Sequence, residues 1–301
     1  MTTSVVVVGY NAIGKRVVDA IRQQRGFRLA GIVEHAPNRQ RVLKALQLPY
    51  GESCESGLLD QCQLLVVCEG EASKTTIPCV YGPDTPVGPR WWNDVDAGTR
   101  VRVPCADAIA FHRLLEVLPP ANRLFSNCAR RVDRSRAIGG IDSMEPIFAL
   151  PDEDRDLEHL GALQSPVMIR RTCVPYTQSH LHHVRCQLHQ ETSRDEIIRL
   201  LNGADRIRVR SSKAGFANTG QLQEFDRDIG RPRGDRPEVF IWEESIAVVD
   251  ENLFLAMDVS PDATPIPEIM DAIRFMAGGA VTREESRRMT NEQLGLDGAL
   301  C

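Results

Sequence analysis

The sequence predicts an α/β chain of two domains, one a doubly wound parallel sheet and the other an α+β unit on a mixed, largely antiparallel sheet. Three observations predict it. An unbroken apolar strand opens the chain and turns through glycines into an amphipathic helix. Strand-like segments recur in the second half, and the last two close as a hairpin. The 301 residues are 42% hydrophobic, enough apolar material for two buried cores.

The opening stretch Ser4 to Ile21 reads SVVVVGYNAIGKRVVDAI. Val5 to Val8 form a β-branched run without alternation, as a strand buried on both faces of a parallel sheet requires. Gly9, Tyr10, Asn11, Ala12, Ile13 and Gly14 then make a tight turn into a helix beginning near Ala12. Backbone N–H groups at such a helix start form a phosphate cradle, the signature of a Rossmann-type dinucleotide fold. The usual Gly-x-Gly-x-x-Gly pattern has Asn11 at its middle position, where a side chain crowds the approach of a pyrophosphate. Glu34 closes the next strand, Arg28 to Val33, at the spacing where an acidic residue accepts from ribose hydroxyls. A carboxylate there repels a 2′-phosphate, so the expected cofactor is NAD, with NADP disfavoured.

Charge and cysteine content narrow the class. The net charge of −5 gives no electrostatic footprint for nucleic acid or an anionic membrane. The nine cysteines are scattered without a C-x-x-C pair, and no apolar run is long enough to span a bilayer. The expectation is a cytoplasmic protein with free thiols.

Along the chain, Gln63 to Cys68 reads as a buried strand. Ile77 to Gly98 is a Pro- and Gly-rich crossing with Trp91 and Trp92 adjacent, to which no role is assigned. Arg100 to Val103 is a short strand, and Ala106 to Leu118 a helix stopped by Pro119-Pro120. Arg123 to Val132 is a long strand ending in Arg130 and Arg131, followed by an acidic, helical stretch from Asp152 to Leu163. Ser193 to Glu196 is a capping box that opens a helix to Leu201. Ser211 to Gly234 is polar and contains the basic stretch RDIGRPRGDR, expected near an interface or an active-site rim. Val239 to Val249 and Leu253 to Val259 form a hairpin around Asp250 to Asn252, and a terminal helix starts at Pro267.

Cys105 sits where a strand meets a helix N-terminus. The helix dipole and free N–H groups there favour a thiolate and leave donors for an oxyanion. The alternative is a buried structural cysteine. The segment Val167 to Gln190 carries a cluster of histidines. His180 and His182 alternate onto one strand face, and His183 points to the other. With two imidazoles on that face and no cysteine at ligand spacing in the sequence, no metal site is expected.

Val8 to Ile21 resembles the first βα unit of the archaeal-type (type II) glyceraldehyde-3-phosphate dehydrogenases. Pro237 to Val259, Ile266 to Phe275 and Arg288 to Leu296 resemble that family's closing strands and final helix. The chain is identified on these segments as a divergent member. The resemblance implies a nucleotide domain of residues 1–104, completed by 267–301, and a catalytic domain of 105–266. It implies that Cys105 is the nucleophile, in the place of the family's S-C-N-T-T segment. It implies that His180, in the place of the first His of V-P-T-T-L-M-H-x-H, is the general base. Arg130 and Arg131 take the place of an Arg pair that borders a substrate phosphate, although an Arg pair at a strand end is also simply solvated. The expected reaction is NAD-dependent oxidation of a small aldehyde through a cysteine thiohemiacetal and thioester to an acyl phosphate, by a homotetramer.

The chain departs from the pattern at Cys105-Ala106-Asp107-Ala108, where the threonines that contact the substrate phosphate are gone. Asp107 opposes phosphate binding, and thiolate formation if it faces Cys105. Two alternatives therefore stand: a dehydrogenase for an unphosphorylated aldehyde, and a non-catalytic relative acting in binding or assembly.

Overall fold

The computed structural model describes residues 2–53, 57–70, 76–83, 85, 100–131, 147–148, 166–174, 179–277 and 282–296. The chain forms two compact units. The first runs from the N-terminus to Cys105 and resumes at Pro265; the second is Ala106–Thr264. Trp91, Trp92 and the acidic stretch from Asp152 to Leu163 lie outside the described residues.

The first unit holds β1 (Thr3–Val8), α1 (Ala12–Gln23), β2 (Phe27–Val33), α2 (Pro37–Ala45), β3 (Tyr50–Gly51), β4 (Leu64–Val67), β5 (Cys79–Tyr81) and β6 (Arg100–Arg102). Every pairing is parallel, in the order β3-β2-β1-β4-β5-β6. This is the Rossmann-like order, and it reverses between β1 and β4, the switch point where such sheets bind ligands at their C-terminal ends. Val5, Val6, Val7 and Leu64 to Val67 are at most 1% exposed, which accounts for their continuous apolar runs.

In the second unit, α3 (Ala106–Val117) precedes β7 (Ala121–Arg131), β8 (Ile147–Phe148), β9 (Val167–Val174), β10 (His180–Leu188), α4 (Arg194–Asn202), β11 (Ile207–Arg210), α5 (Thr219–Asp228), β12 (Val239–Trp242), β13 (Ala247–Val249) and β14 (Asn252–Val259). The strand order is β11-β12-β14-β10-β7-β9-β8, with β13 pairing β14. The β7/β9 and β11/β12 pairs are parallel and the others antiparallel, so the sheet is mixed, as expected. Ser193 caps α4 by accepting from the Glu196 N–H at 3.2 Å.

Two sequence expectations are corrected here. The hairpin strand expected over Val239 to Val249 breaks at a 3-10 turn, Glu243–Ser245, so the hairpin proper is β13 and β14 with Val249 opposite Asn252. The terminal helix is two helices, α6 (Pro265–Met276) and α7 (Arg283–Leu294). Arg274 of α6 ties them to α1, donating to Thr290 Oγ1 and to Gln24 Oε1, each at 2.6 Å. The polar stretch from Ser211 contains α5, capped by the Asn218 side chain on the Gln221 N–H. Two arginines of its basic stretch are engaged by acids of the same unit. Arg231 donates to Glu238 (2.6 Å) and Asp226 (3.1 Å), and Arg236 pairs with Asp258. Burial pushes the Asp226 carboxyl up to about 6 in spite of Arg236 and Arg231. Sequence reading saw the positive charges; the acids that neutralise them come from α5, β14 and the residue before β12.

Candidate functional site

In the first unit, β1 ends at the glycine turn. Gly9 has φ +89°, and a Cβ on it would lie 2.5 Å from Glu69 Cβ. A Cβ on Gly14 would lie 1.9 Å from the Gly9 carbonyl oxygen. Both glycines are therefore required by the turn itself. Asn11 is in the extended N-cap conformation, φ −77°, so its side chain and not a left-handed backbone explains its presence. Its Oδ1 accepts from the Gly14 N–H at 2.8 Å, and its Nδ2 donates to the Cys68 carbonyl, just after β4, at 2.9 Å. One side chain thus spans the switch point and takes one of the helix-start N–H groups. Ala12 and Ile13 open the helix beside it. Tyr10 is buried, with Lys15 Nζ 5.7 Å from its ring centre.

Glu34, one residue past β2, turns back to this loop. Its Oε2 accepts from the Tyr10 N–H and its Oε1 from the Ala36 N–H, both at 2.7 Å. Burial pushes this carboxyl up, but those N–H groups and the Arg39 guanidinium outweigh it and hold Glu34 below its ordinary value. Arg39 also pairs with Glu69. Gly9, Tyr10, Asn11, Gly14 and Glu34 therefore form one constellation at the end of β1. The donor set fits a dinucleotide: two glycines without room for Cβ, a helix start, and an anionic acceptor at the end of β2.

Cys105, half-buried, closes this unit at the residue before α3. The other half-buried described cysteine, Cys62, has its thiol pushed up by burial, and buried Cys186 is pushed up to about 12.

In the second unit, one sheet face carries a polar cluster. Arg171, Cys128, His182 and Met257 are register partners across β9, β7, β10 and β14. Ser126, Arg130 and His180 are two residues away on the same face. Helix α3 covers it with Asp107 and, one turn on, Phe111, whose ring meets His182 edge-on at 5.2 Å. Asp107 does not lie idle. Its Oδ1 is 2.6 Å from His180 Nδ1 and 3.1 Å from His182 Nε2, and Arg171 Nε is 3.8 Å from its Oδ2. Ser126 Oγ lies 3.0 Å from His182 Nδ1.

Burial alone raises the Asp107 carboxyl, yet His180 and His182 hold it well below the usual carboxylate range. A group depressed in the folded state stabilises above its unfolded value and loses that contribution as pH falls through about 4 and below. The urea midpoint of the wild type is expected to fall more steeply between pH 5 and pH 3 than that of Asp107→Asn. Parallel curves would sever Asp107 from acid stability.

Asp107, Cys128, His180 and His182 bring four potential metal-ligand atoms within 4.8 Å of one another. Tetrahedral nitrogen and oxygen ligands about 2.0–2.1 Å from one ion stand about 3.3 Å apart. Asp107 Oδ1 and His180 Nδ1, 2.6 Å apart, stand closer than that and at hydrogen-bond distance.

The sequence-named residues are divided between the two units. Gly9 to Gly14 and Glu34 are together in the first unit, and Cys105 ends it. His180 lies in the buried cluster of the second. Arg130 is 9% exposed on the His180 face; Arg131 is the last residue of β7, and its side chain is outside the described ones. Sequence reasoning set His182 on the His180 face without giving it a role, and missed Ser126, Cys128 and Arg171 as cluster members. The two-residue spacing of His180 and His182 was the available signal; Arg171 joins only through the β7/β9 register.

No family model matches the chain. It is 28% identical over 330 residues to a glyceraldehyde-3-phosphate dehydrogenase of Haloarcula marismortui, covering 96% of this chain and 92% of that one. It is 27% identical over 338 residues to glyceraldehyde-3-phosphate dehydrogenase 2 of Methanosarcina barkeri, covering 97% and 98%. Both of these full-length relatives are named as glyceraldehyde-3-phosphate dehydrogenases. A third, from Hyperthermus butylicus, is 31% identical over 182 residues, 60% of this chain and 53% of the relative, so that match spans about half the relative's length. At 96–97% coverage the similarity to the first two runs through both units. Among the described residues no helix is long and apolar enough to cross a membrane.

Proposed function

We infer that the chain is a glyceraldehyde-3-phosphate dehydrogenase-like oxidoreductase of the archaeal type, oxidising a small aldehyde through Cys105. The observation that carries this reading is the junction at Cys105. A half-buried thiol immediately precedes the helix whose second residue, Asp107, holds His180. The end-to-end similarity to named dehydrogenases and the Rossmann-like strand order support it.

Gly9 to Gly14 would hold the pyrophosphate of a nicotinamide dinucleotide, and Glu34 its ribose hydroxyls. The bound dinucleotide supplies the two-electron oxidant that accepts a hydride. The Cys105 thiol adds across the aldehyde carbonyl: the sulfur forms a C–S bond to the carbon as the C=O π bond breaks, and the thiol proton passes to the oxygen, which becomes a hydroxyl. His180 takes the hydroxyl proton as hydride leaves that carbon, giving a thioester. Inorganic phosphate attacks the thioester carbon, the C–S bond breaks, and the thiolate leaves with the product released as an acyl phosphate. Arg130 and Arg131 are proposed to border the anionic end of the substrate. On the outer face of the second sheet Phe125, Met168 and Phe254 are exposed, which supports self-association; a homotetramer follows the resemblance.

The deciding assay is NADH formation from glyceraldehyde 3-phosphate with and without phosphate, beside unphosphorylated glyceraldehyde. Phosphate-dependent turnover supports the reading, and turnover of glyceraldehyde alone moves the substrate to an unphosphorylated aldehyde. The bond from Asn11 to the Gly14 N–H favours a second reading, a non-catalytic binding or assembly protein, because it occupies a donor the pyrophosphate needs. Absence of NADH binding by calorimetry decides for it.

Glu34 sets the expected cofactor choice. The wild type should prefer NAD, and Glu34→Gln should narrow the ratio of NAD to NADP specificity constants by about tenfold, since one charge-repelled phosphate is worth about 1.4 kcal/mol. An unchanged ratio removes Glu34 from cofactor selection.

A further inference from the structure

We propose that Asp107 is a positioning residue that fixes His180 in the tautomer whose Nε2 is bare, making that nitrogen the base. This deepens the dehydrogenase reading and rests on it.

The hydrogen-bond chain determines the assignment. Asp107 is held ionised, so its carboxylate can only accept. His180 must then donate through Nδ1–H at 2.6 Å, and His182 through Nε2–H at 3.1 Å. On its other side His182 Nδ1 pairs with the Ser126 hydroxyl, 3.0 Å away. Each hydrogen bond of the cluster then has one donor and one acceptor. His180 Nε2 remains the one ring nitrogen of the pair with no partner among the described residues. His182 is fully buried, whereas the His180 side chain is 17% exposed. The two imidazoles thus have different tasks. His182, pinned between Phe111 and Ser126, holds Asp107; Asp107 aims His180 and stabilises the imidazolium formed when Nε2 takes a proton.

Asp107 stands two residues after Cys105, in the position where the resembled C-N-T-T segment has a threonine. The carboxylate that looked adverse to the thiol in the sequence is directed onto the base instead. The Arg171 guanidinium, 3.8 Å from Oδ2, offsets the charge that Asp107 brings to the site.

The test is Asp107→Asn, read in two ways. With selectively 15N-labelled histidine, and His180→Gln to assign the signal, the wild type at pH 8 should show His180 as the Nδ1–H tautomer. Asp107→Asn should move it toward the Nε2–H form. In turnover, Asp107→Asn should lower kcat by about 10²- to 10⁴-fold with KM nearly unchanged, and shift the acid limb of the pH profile. If Asp107→Asn fails to fold, the wild-type spectrum alone decides: an Nε2–H His180 overturns the proposal. An unchanged tautomer with unchanged kcat in the variant overturns it too, as does stoichiometric zinc in the purified protein whose removal unlocks both rings. A wild type that shows the stated tautomer but turns over no aldehyde supports the orientation and sinks the dehydrogenase reading, so the two failures are separable.

Discussion

Cys105→Ser is expected to cut aldehyde-dependent NADH formation by at least about 10⁴-fold while leaving NADH binding and thermal stability near wild type. A serine hydroxyl at neutral pH is almost wholly protonated and a poor nucleophile beside a thiolate. An ester intermediate is also a poorer acyl donor than a thioester, so both halves of the reaction suffer. The residue is half-buried, and the substitution removes little packing. Alkylation gives an independent check. Among the described cysteines, iodoacetamide should modify Cys105 first in the folded protein, while Cys186, buried and with its thiol pushed up to about 12, stays unmodified until unfolding. Retention of more than a few per cent of activity in Cys105→Ser would place the chemistry on another group.

Gly14→Ala should abolish measurable NADH binding and lower stability by about 3 kcal/mol. The added Cβ would sit 1.9 Å from the Gly9 carbonyl oxygen, and that atom belongs to the backbone. No rotamer relieves the overlap; the turn itself must move. Moving it breaks the Asn11 Oδ1 bond to the Gly14 N–H, and with it the cap of α1. It also displaces the Tyr10 N–H that Glu34 accepts. A single methyl therefore disturbs the helix start and the Glu34 contact together. Calorimetric titration with NADH and a urea melt check both parts. Wild-type affinity with an intact fold would show that the turn relaxes freely and is not the cofactor cradle.

The first unit was legible because its signals are local. An unalternated valine run marks a strand buried on both faces, and Gly14 answers to the Gly9 carbonyl only five residues back. The capping box before α4 was legible for the same reason. The break at Glu243 to Ser245 was not, because Val239 to Val249 has a strand-like composition throughout and the turn serves the pairing of β13 with β14.

The site in the second unit divides along the same line. The chain alone determined that a thiol immediately precedes a helix and that two imidazoles share one strand face, since those are consequences of adjacency and of a period of two. Only the tertiary structure decided what Asp107 does. Its partners are 73 and 75 residues away, and whether its charge opposes a thiolate or orients a base depends on packing α3 against β10. Burial then makes the choice decisive, because a carboxylate removed from water must find partners, and the imidazoles of His180 and His182 are the ones that face it.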